Sequence, residues 1–115
     1  MLQDGFIKKN KMIIYVDIDE TICHYEDKKR DYKLAKPITK NINKFNKLFD
    51  DGHEIIYWTA RGSTTGIDWY DLTDSQLKKW GVKYKQFKVG KPYYDLFICD
   101  KAINSENFFD LEANK

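Results

Sequence analysis

The sequence has few of the residues that would indicate a disulfide scaffold or a membrane protein. Its 115 residues include only two cysteines, Cys23 and Cys99, without the spacing of a disulfide framework. This usage fits a compartment in which thiols stay reduced. No stretch approaches the ~20 apolar residues of a membrane span, and residues 1–11 lack the apolar run of a secretion signal. We therefore expect a cytoplasmic protein with no membrane partner.

The charge of the chain is also nearly balanced. Its 20 basic and 18 acidic residues give a formal net charge of +2, which does not favour a nucleic-acid coat protein or a membrane-surface binder. A hydrophobic content of 42% and a charged content of 33% are typical of a globular chain. The length predicts one domain over residues 1–115, with residues 1–11 as a loose lead-in.

Strand and helix patterns alternate along the chain. The apolar run at residues 12–16 is typical of a parallel strand buried on both faces. An apolar stripe after Pro37 predicts a helix that stops at Gly52. Thr73 and Gln76 have the spacing of a capping box, which predicts a second helix. We also predict strands at 54–58, 84–87 and 95–98, a flap loop at 22–36, and a short helix at 105–109. This alternation indicates an α/β fold with a central parallel sheet.

Reactive side chains follow the predicted strands. Asp17 and Asp19 come directly after the first strand, Thr59 after the second and Asp100 after the last, with Lys91 shortly before it. Ligands of open α/β sheets bind at this carboxyl edge. Carboxylates suit Mg²⁺, while a lysine and a hydroxyl suit an anion. The sequence thus predicts a metal-assisted anion site with one carboxylate free to attack.

The segment from Asp17 to Thr21 reads Asp-Ile-Asp-Glu-Thr and resembles the first motif of the haloacid dehalogenase superfamily. Thr59, Lys91 and Asp100 match its second, third and fourth motifs in the right order. The stretches at 57–62 and 90–95 further resemble a capless subgroup linked to capsule or surface-polysaccharide biosynthesis. The resemblance implies a capless core folded as a Rossmann-like three-layer sandwich.

The resemblance also implies the chemistry of the site. Asp17 would be the nucleophile that forms an aspartyl-phosphate, and Asp19 the general acid and base. Thr59 and Lys91 would contact the phosphoryl group. Mg²⁺ would be held by Asp17, the backbone carbonyl of Asp19 and Asp100. The remaining residues with an implied substrate-binding role are Thr21, Ala60 and Arg61.

Several interpretations stay open at this stage. Arg61 either binds a substrate carboxylate or phosphate, or braces its loop through an internal ion pair. The basic run 28–30 is either a solvated loop or an electropositive flap over the site. Cys99 stands where resembling proteins often carry a second acidic residue, so we expect weaker Mg²⁺ binding.

The expected function is a Mg²⁺-dependent phosphomonoesterase acting on a sugar phosphate or related metabolite. One alternative is a polynucleotide end phosphatase, which the basic flap suggests, although the sequence shows no stacking platform or broad basic face. The other, suggested by Cys99, is a catalytically weak phosphate-binding or regulatory module. The gap from Thr21 to Pro37 is too short for a cap domain. The open site would therefore either accept a large substrate or be covered by a second copy in a homo-oligomer.

Overall fold

The computed structural model describes the backbone of residues 11–113 and the side chains of residues 11–110. Nearly all of the predicted lead-in, residues 1–10, lies outside the described residues. In chain order the elements are β1 (Ile13–Val16), β2 (Cys23–His24), a 3₁₀ turn (Tyr32–Leu34), β3 (Lys36–Pro37), α1 (Thr39–Asp50), β4 (Glu54–Trp58), α2 (Tyr70–Lys79), β5 (Gln86–Lys88) and α3 (Ser105–Ala113).

The central sheet is parallel and has the strand order β1-β4-β5. Ile14 of β1 lies opposite Ile55 of β4, and Phe87 of β5 lies opposite Tyr57 of β4. Ile55 and Tyr57 are fully buried, which is typical of a central strand covered on both faces.

The prediction that the first strand is buried on both faces was wrong, because β1 lies at the edge of the described sheet and its Ile13 and Tyr15 are 64% and 50% exposed. The predicted α/β architecture with a parallel sheet is confirmed, and the carboxyl ends of β1 and β4 lie side by side.

Helix α1 packs its apolar face against β4. The face consists of Ile42, Phe45 and Leu48, which are all buried. The helix begins at Thr39 and not at Pro37, because Pro37 pairs with Cys23 in the short antiparallel β2–β3 sheet. The predicted helix start was therefore wrong by two residues, and the predicted flap loop contains regular structure at both of its ends.

Helix α2 begins at Tyr70, three residues before the predicted capping box. Thr73 and Gln76 lie inside the helix and are buried, so the capping-box interpretation was wrong. Their side-chain oxygens accept hydrogen bonds from Arg61 instead. The buried polar side chains of α2 thus contact Arg61, in the loop that follows β4.

Residues 95–98 do not form the predicted strand. The segment has no ladder partner in the described part of the chain, and Leu96 and Ile98 are 74% and 87% exposed. The predicted third strand does form, although as Gln86–Lys88. Among the described residues, none of the helices is both long and apolar enough to cross a membrane.

Candidate active site

Asp17 and Lys91 form an ion pair at the carboxyl edge of the sheet. Asp17 directly follows β1, and its Oδ2 lies 3.4 Å from Lys91 Nζ. The Asp17 side chain is 43% exposed and that of Lys91 is 15% exposed. Asp17 Oδ1 accepts a hydrogen bond of 2.9 Å from the backbone N–H of Ile18. One carboxylate oxygen is therefore held by the backbone, while the other faces the partly buried ammonium group of Lys91.

The surroundings of Asp17 change the affinity of its carboxylate for protons. Partial burial raises the pKa of Asp17, and the nearby Lys91 ammonium opposes this rise without cancelling it. The same carboxylate keeps access to solvent on one side. Such a combination of desolvation, a specific charge partner and accessibility is typical of functional carboxylates.

Thr59 connects the end of β4 to Lys91. Its backbone carbonyl accepts a hydrogen bond of 3.1 Å from Lys91 N–H, and its Oγ1 accepts one of 3.1 Å from Arg61 N–H. The residue is fully buried. Because a threonine hydroxyl also has one proton to donate, Thr59 keeps its donor while its oxygen is engaged.

Asp19 lies in a much more enclosed place than Asp17. Its carboxylate accepts hydrogen bonds from Arg61 Nη2 at 2.9 Å and Nε at 3.1 Å. The side chains of this pair are 0% exposed for Arg61 and 10% for Asp19. The hydroxyl of Tyr25 and the thiol of Cys23 also donate to Asp19. The pair is therefore a buried, two-bond arginine–carboxylate contact with further donors around it.

The other side of the Arg61 guanidinium is also engaged. Nη1 donates to Thr73 Oγ1 at 3.1 Å and to Gln76 Oε1 at 2.6 Å. The guanidinium carbon lies 4.8 Å from the ring centre of Tyr32, which belongs to the flap. The structure thus shows the internal ion pair, one of the two alternatives for Arg61. Substrate binding by Arg61 stays a prediction without a contact to support it.

The Arg61 contact also sets the charge of Asp19. Burial alone would raise the pKa of Asp19, but the hydrogen bonds and charge of Arg61 outweigh it and lower the pKa below its usual range. For Cys23 the net shift is upward, because burial raises the pKa of its thiol to about 12 and the thiol stays protonated. Asp19 is therefore held ionised, whereas the thiol of Cys23 is held in its protonated form.

The turn between Asp17 and β2 carries the other predicted residues of the first motif. Thr21 is buried; its N–H donates to the carbonyl of Ile18, and its own carbonyl accepts from Asn41 Nδ2 at 2.9 Å. Glu20 has φ +65°, a conformation that non-glycine residues seldom adopt and that concentrates at functional sites. The sequence patterns had not pointed to Asn41, Tyr25 or the strained Glu20.

Among the described residues, no hydrogen bond or ion pair joins Asp100 to this group. It is exposed, and its described contact is with the neighbouring Cys99 Sγ at 3.9 Å. Across the described residues, no three His, Cys, Asp or Glu side chains gather in a metal-binding arrangement. Mg²⁺ often takes only one or two protein carboxylates together with water and substrate phosphate. The accessible carboxylate of Asp17 fits that donor chemistry, while the metal-binding role of Asp100 stays a prediction.

Comparisons with known proteins support the fold and are silent on the activity. No protein-family model matches the chain, and no curated protein matches it. A crystal structure of a structural-genomics target from Vibrio cholerae is similar, with 26% sequence identity and a TM-score of 0.68. The match covers 92% of this chain and 100% of that one. The fold of nearly the whole of this chain thus occurs in a second protein.

Proposed function

We propose that this chain is a phosphomonoesterase of the haloacid dehalogenase type, dependent on Mg²⁺ and working through an aspartyl-phosphate on Asp17. The observation that carries the proposal is the contact between Asp17 and Lys91. A half-exposed carboxylate at the carboxyl edge of a parallel sheet lies 3.4 Å from a lysine on a distant segment. Ligands of parallel α/β sheets bind at this edge.

A purely structural role for the Asp17–Lys91 pair explains less. Ion pairs that solvent can reach contribute about 0–1 kcal/mol to stability, and the Asp17 side chain is 43% exposed. The raised pKa of Asp17, caused by its partial burial, means that the fold disfavours the charged carboxylate. A site that keeps a disfavoured carboxylate next to a lysine is better suited to binding or catalysis than to stabilisation.

The proposed first chemical step uses the side chains of Asp17, Lys91 and Thr59. An oxygen of Asp17 attacks phosphorus, the bond from phosphorus to the ester oxygen breaks, and the alcohol leaves with a proton. Lys91 neutralises charge on the phosphoryl oxygens, and the Thr59 hydroxyl donates to one of them. Bound Mg²⁺ would neutralise phosphoryl charge; Asp17, the Asp19 carbonyl and Asp100 are the residues proposed to hold it.

The second step requires a base that removes a proton from water. Asp19 is ionised at rest because Arg61 lowers its pKa, and an ionised carboxylate is the form that accepts a proton. The structure therefore supports the base role of Asp19 more directly than its acid role. Protonation of the leaving alcohol requires Asp19 first to take up a proton against the charge of Arg61.

Further parts of the proposal concern the setting of the enzyme. We propose that the fold is a capless haloacid dehalogenase core, a Rossmann-like three-layer sandwich in one domain. The proposed substrate is a small phosphorylated metabolite, in particular a sugar phosphate, and the proposed location is the cytoplasm. A homo-oligomer that covers the open site remains part of the proposal, and gel filtration tests it.

A second candidate is a phosphate-binding or regulatory module with little turnover. The exposure of Asp100 favours it, because among the described residues no hydrogen bond or ion pair joins this carboxylate to Asp17. The two candidates differ in whether a phosphoryl group becomes bonded to Asp17.

Release of phosphate from an aryl phosphate, with Mg²⁺ and with a chelator, tests both candidates. We expect Mg²⁺-dependent turnover that falls by about 10⁴-fold or more in Asp17→Asn. The exposed Asp71→Asn variant in the first turn of α2 is the matched control and should retain the wild-type rate. Mass spectrometry of the acid-quenched protein should locate a phosphoryl group on Asp17.

Two outcomes would contradict the proposal. Wild-type rates in Asp17→Asn would show that the nucleophile is another group. Binding of a phosphate analogue without turnover of any ester would instead favour the binding module.

A further inference from the structure

Tyr94 and Phe97 form an exposed pair of aromatic rings in the segment that follows Lys91. Their ring centres lie 5.3 Å apart, and the planes of the rings are tilted by 55°. Tyr94 is 40% exposed and Phe97 is 49% exposed. Among the described residues, neither ring belongs to the hydrophobic core or packs against it. The pair therefore presents ring surface to solvent.

The aromatic pair adjoins the proposed nucleophile through Lys91. Lys91 Nζ lies 5.4 Å from the ring centre of Tyr94 and 3.4 Å from Asp17 Oδ2, and a cation this close to an aromatic ring is attracted to it. The backbone of Lys91 is held as well, because its N–H donates to the carbonyl of Thr59 and its carbonyl accepts a hydrogen bond from Ser63. One ammonium group thus contacts both the carboxylate that would attack phosphorus and one ring of the pair.

Shielding of Lys91 explains only one of the two rings. The Tyr94 ring contacts the Lys91 side chain, which is 15% exposed. The aromatic contact of Phe97 among the described residues is with Tyr94 itself. The neighbouring Leu96 and Ile98 are exposed as well. Exposed apolar groups of this kind, at the border of a polar site, are typical of surfaces that bind a ligand or a partner.

The charged pair and the aromatic pair together favour one kind of ester. Asp17 and Lys91 suit a phosphate, while the aromatic pair suits a flat ring, because aromatic rings attract each other in offset-stacked and edge-on arrangements. Nucleobases stack on aromatic side chains in the same way. A bare sugar matches the pair less well, since the faces of the rings offer no hydrogen-bond partner to its hydroxyls.

We propose that Tyr94 and Phe97 form a stacking surface for the leaving group, and that the substrate is a phosphate monoester whose alcohol carries a planar unsaturated ring. Nucleoside 5′-monophosphates and esters of aryl-substituted alcohols share this chemistry. Hydrolysis consumes one water and releases the ring-bearing alcohol and inorganic phosphate. The proposal rests on the proposed phosphomonoesterase function and names the part of a small phosphorylated metabolite that the chain recognises.

Two matched pairs of esters test the proposal. Adenosine 5′-monophosphate and ribose 5-phosphate share the phosphate and the sugar, and only the first carries a base. Benzyl phosphate and cyclohexylmethyl phosphate have similar size, and only the first has a planar unsaturated ring. We expect the first member of at least one pair to exceed the second in kcat/KM by about tenfold. The pair that responds distinguishes a nucleobase from a simple aryl group.

Substitutions in the segment test the two rings. Tyr94→Leu and Phe97→Leu should each lower the preference for the ring-bearing ester by about 3–10-fold, and Tyr94→Phe should retain it. A ring that only shielded Lys91 would slow both esters of a pair alike, so the ratio separates stacking from shielding. The matched control is Tyr93→Leu, on a 73% exposed tyrosine that makes no ring contact among the described residues. It should leave the ratio unchanged.

Three results would overturn the stacking surface while leaving the phosphatase intact. The first is an equal kcat/KM within both pairs of esters. The second is a preference for the ring-bearing ester that neither leucine variant changes. The third is a dimer in sedimentation experiments that dissociates in Phe97→Leu without any change in the ratio, because a second copy would then cover the rings.

Calorimetry on Asp17→Asn with Mg²⁺ separates this proposal from the proposed function. If no ester is hydrolysed, the phosphatase assignment fails by itself. Adenosine 5′-monophosphate or benzyl phosphate that binds Asp17→Asn more tightly than its matched ester, and about 3–10-fold more weakly on adding Tyr94→Leu, would still support the stacking surface. Equal affinities within both pairs, or absence of binding to Asp17→Asn and to the wild-type chain, would overturn it. Far-UV circular dichroism of each variant checks that the fold is retained.

Discussion

Asp17 and Asp19 are separated by one residue, yet the fold places them in opposite environments. Asp17 is 43% exposed and contacts one lysine at 3.4 Å. Asp19 is 10% exposed and accepts hydrogen bonds from the Arg61 guanidinium, with Tyr25 close by. Partial burial moves the pKa of the first carboxyl up, while Arg61 moves that of the second down despite its burial.

The contrast teaches that the surroundings of a carboxylate, and not its place in a motif, decide what it can do. Carboxylates whose environments push their pKa values apart are suited to different chemical tasks. Asp17 remains accessible to a substrate, whereas Asp19 is held ionised within the protein. The same contrast separates a side chain that is open to a ligand from one that is held inside the structure.

The largest difference is expected in stability. Asp19→Asn should lower the free energy of unfolding by about 3–5 kcal/mol, because it leaves the Arg61 guanidinium buried without its anion. Asp17→Asn should leave the stability unchanged or raise it, since a carboxylate disfavoured by burial is removed. Urea unfolding of the two variants at neutral pH measures both effects. Equal destabilisation by both changes would show that the two environments do not differ in this way.

The next effect concerns the cation beside Asp17. Lys91→Met should lower kcat/KM for an aryl phosphate by about 10²–10³-fold, because charge on the phosphoryl oxygens loses its partner. Its effect on stability should stay within about 1 kcal/mol, as for other accessible ion pairs. Lys88→Met is the matched control, since Lys88 Nζ contacts the hydroxyl of Tyr15 on the exposed surface. A similar loss of rate in both variants would remove the special role of Lys91.

A smaller effect is expected from the phenol that donates to Asp19. Tyr25→Phe should cost about 1.5–3 kcal/mol of unfolding free energy, the usual value of a hydrogen bond to a charged group. The control is Tyr15→Phe, whose hydroxyl bonds to Lys88 on the surface and whose loss should cost under about 1 kcal/mol. Thermal unfolding compares the two. If both phenylalanine variants behave alike, the environment around Asp19 contributes no additional stability through Tyr25.

The smallest effects are changes in the pH dependence of stability. Because folding lowers the pKa of Asp19, its ionised carboxylate stabilises the fold above the ordinary aspartate pKa of about 3.9. This stabilisation is lost as the pH falls through the lowered pKa of the folded protein. Because folding raises the pKa of Asp17, its protonated carboxyl stabilises the fold below the ordinary aspartate pKa of about 3.9. This stabilisation is lost as the pH rises through the raised pKa of the folded protein. The difference curves of Asp19→Asn and Asp17→Asn against the wild type should therefore slope in opposite directions between pH 2 and 6. Parallel curves would contradict the assigned shifts.

The fold was predictable where one element alone carries the signal. The stripe that became α1 was recognised because burial of one helix face leaves a local pattern. The apolar run that became β1 was recognised as a strand, although its predicted burial on both faces was wrong. The apolar segment 95–98 has the same local pattern and yet is not a strand. A strand needs a partner for its backbone, and composition does not reveal the partner.

The site was predictable in part for a related reason. Asp17, Thr59 and Lys91 follow strands or lie near them, so topology alone predicted that they meet. The role of Arg61 was left open, because its partners Asp19 and Gln76 lie on two other elements of the chain. Their meeting depends on how α2 packs against the sheet, and no spacing in the sequence records that packing. Thr73 and Gln76 were misinterpreted for the same reason.

The crossovers that build the parallel sheet have a consequence for folding kinetics. β1 joins β4 only across α1, and β4 joins β5 only across α2, so each pairing closes a long loop before it gains contacts. Asp17 follows β1 and Lys91 lies shortly after β5, so their contact joins the two outer strands of the described sheet. A refolding chain should regain helical circular dichroism within its early phases, while the Asp17–Lys91 contact should form only with the slowest one. The proposed phosphatase activity would therefore return only with the last event of folding.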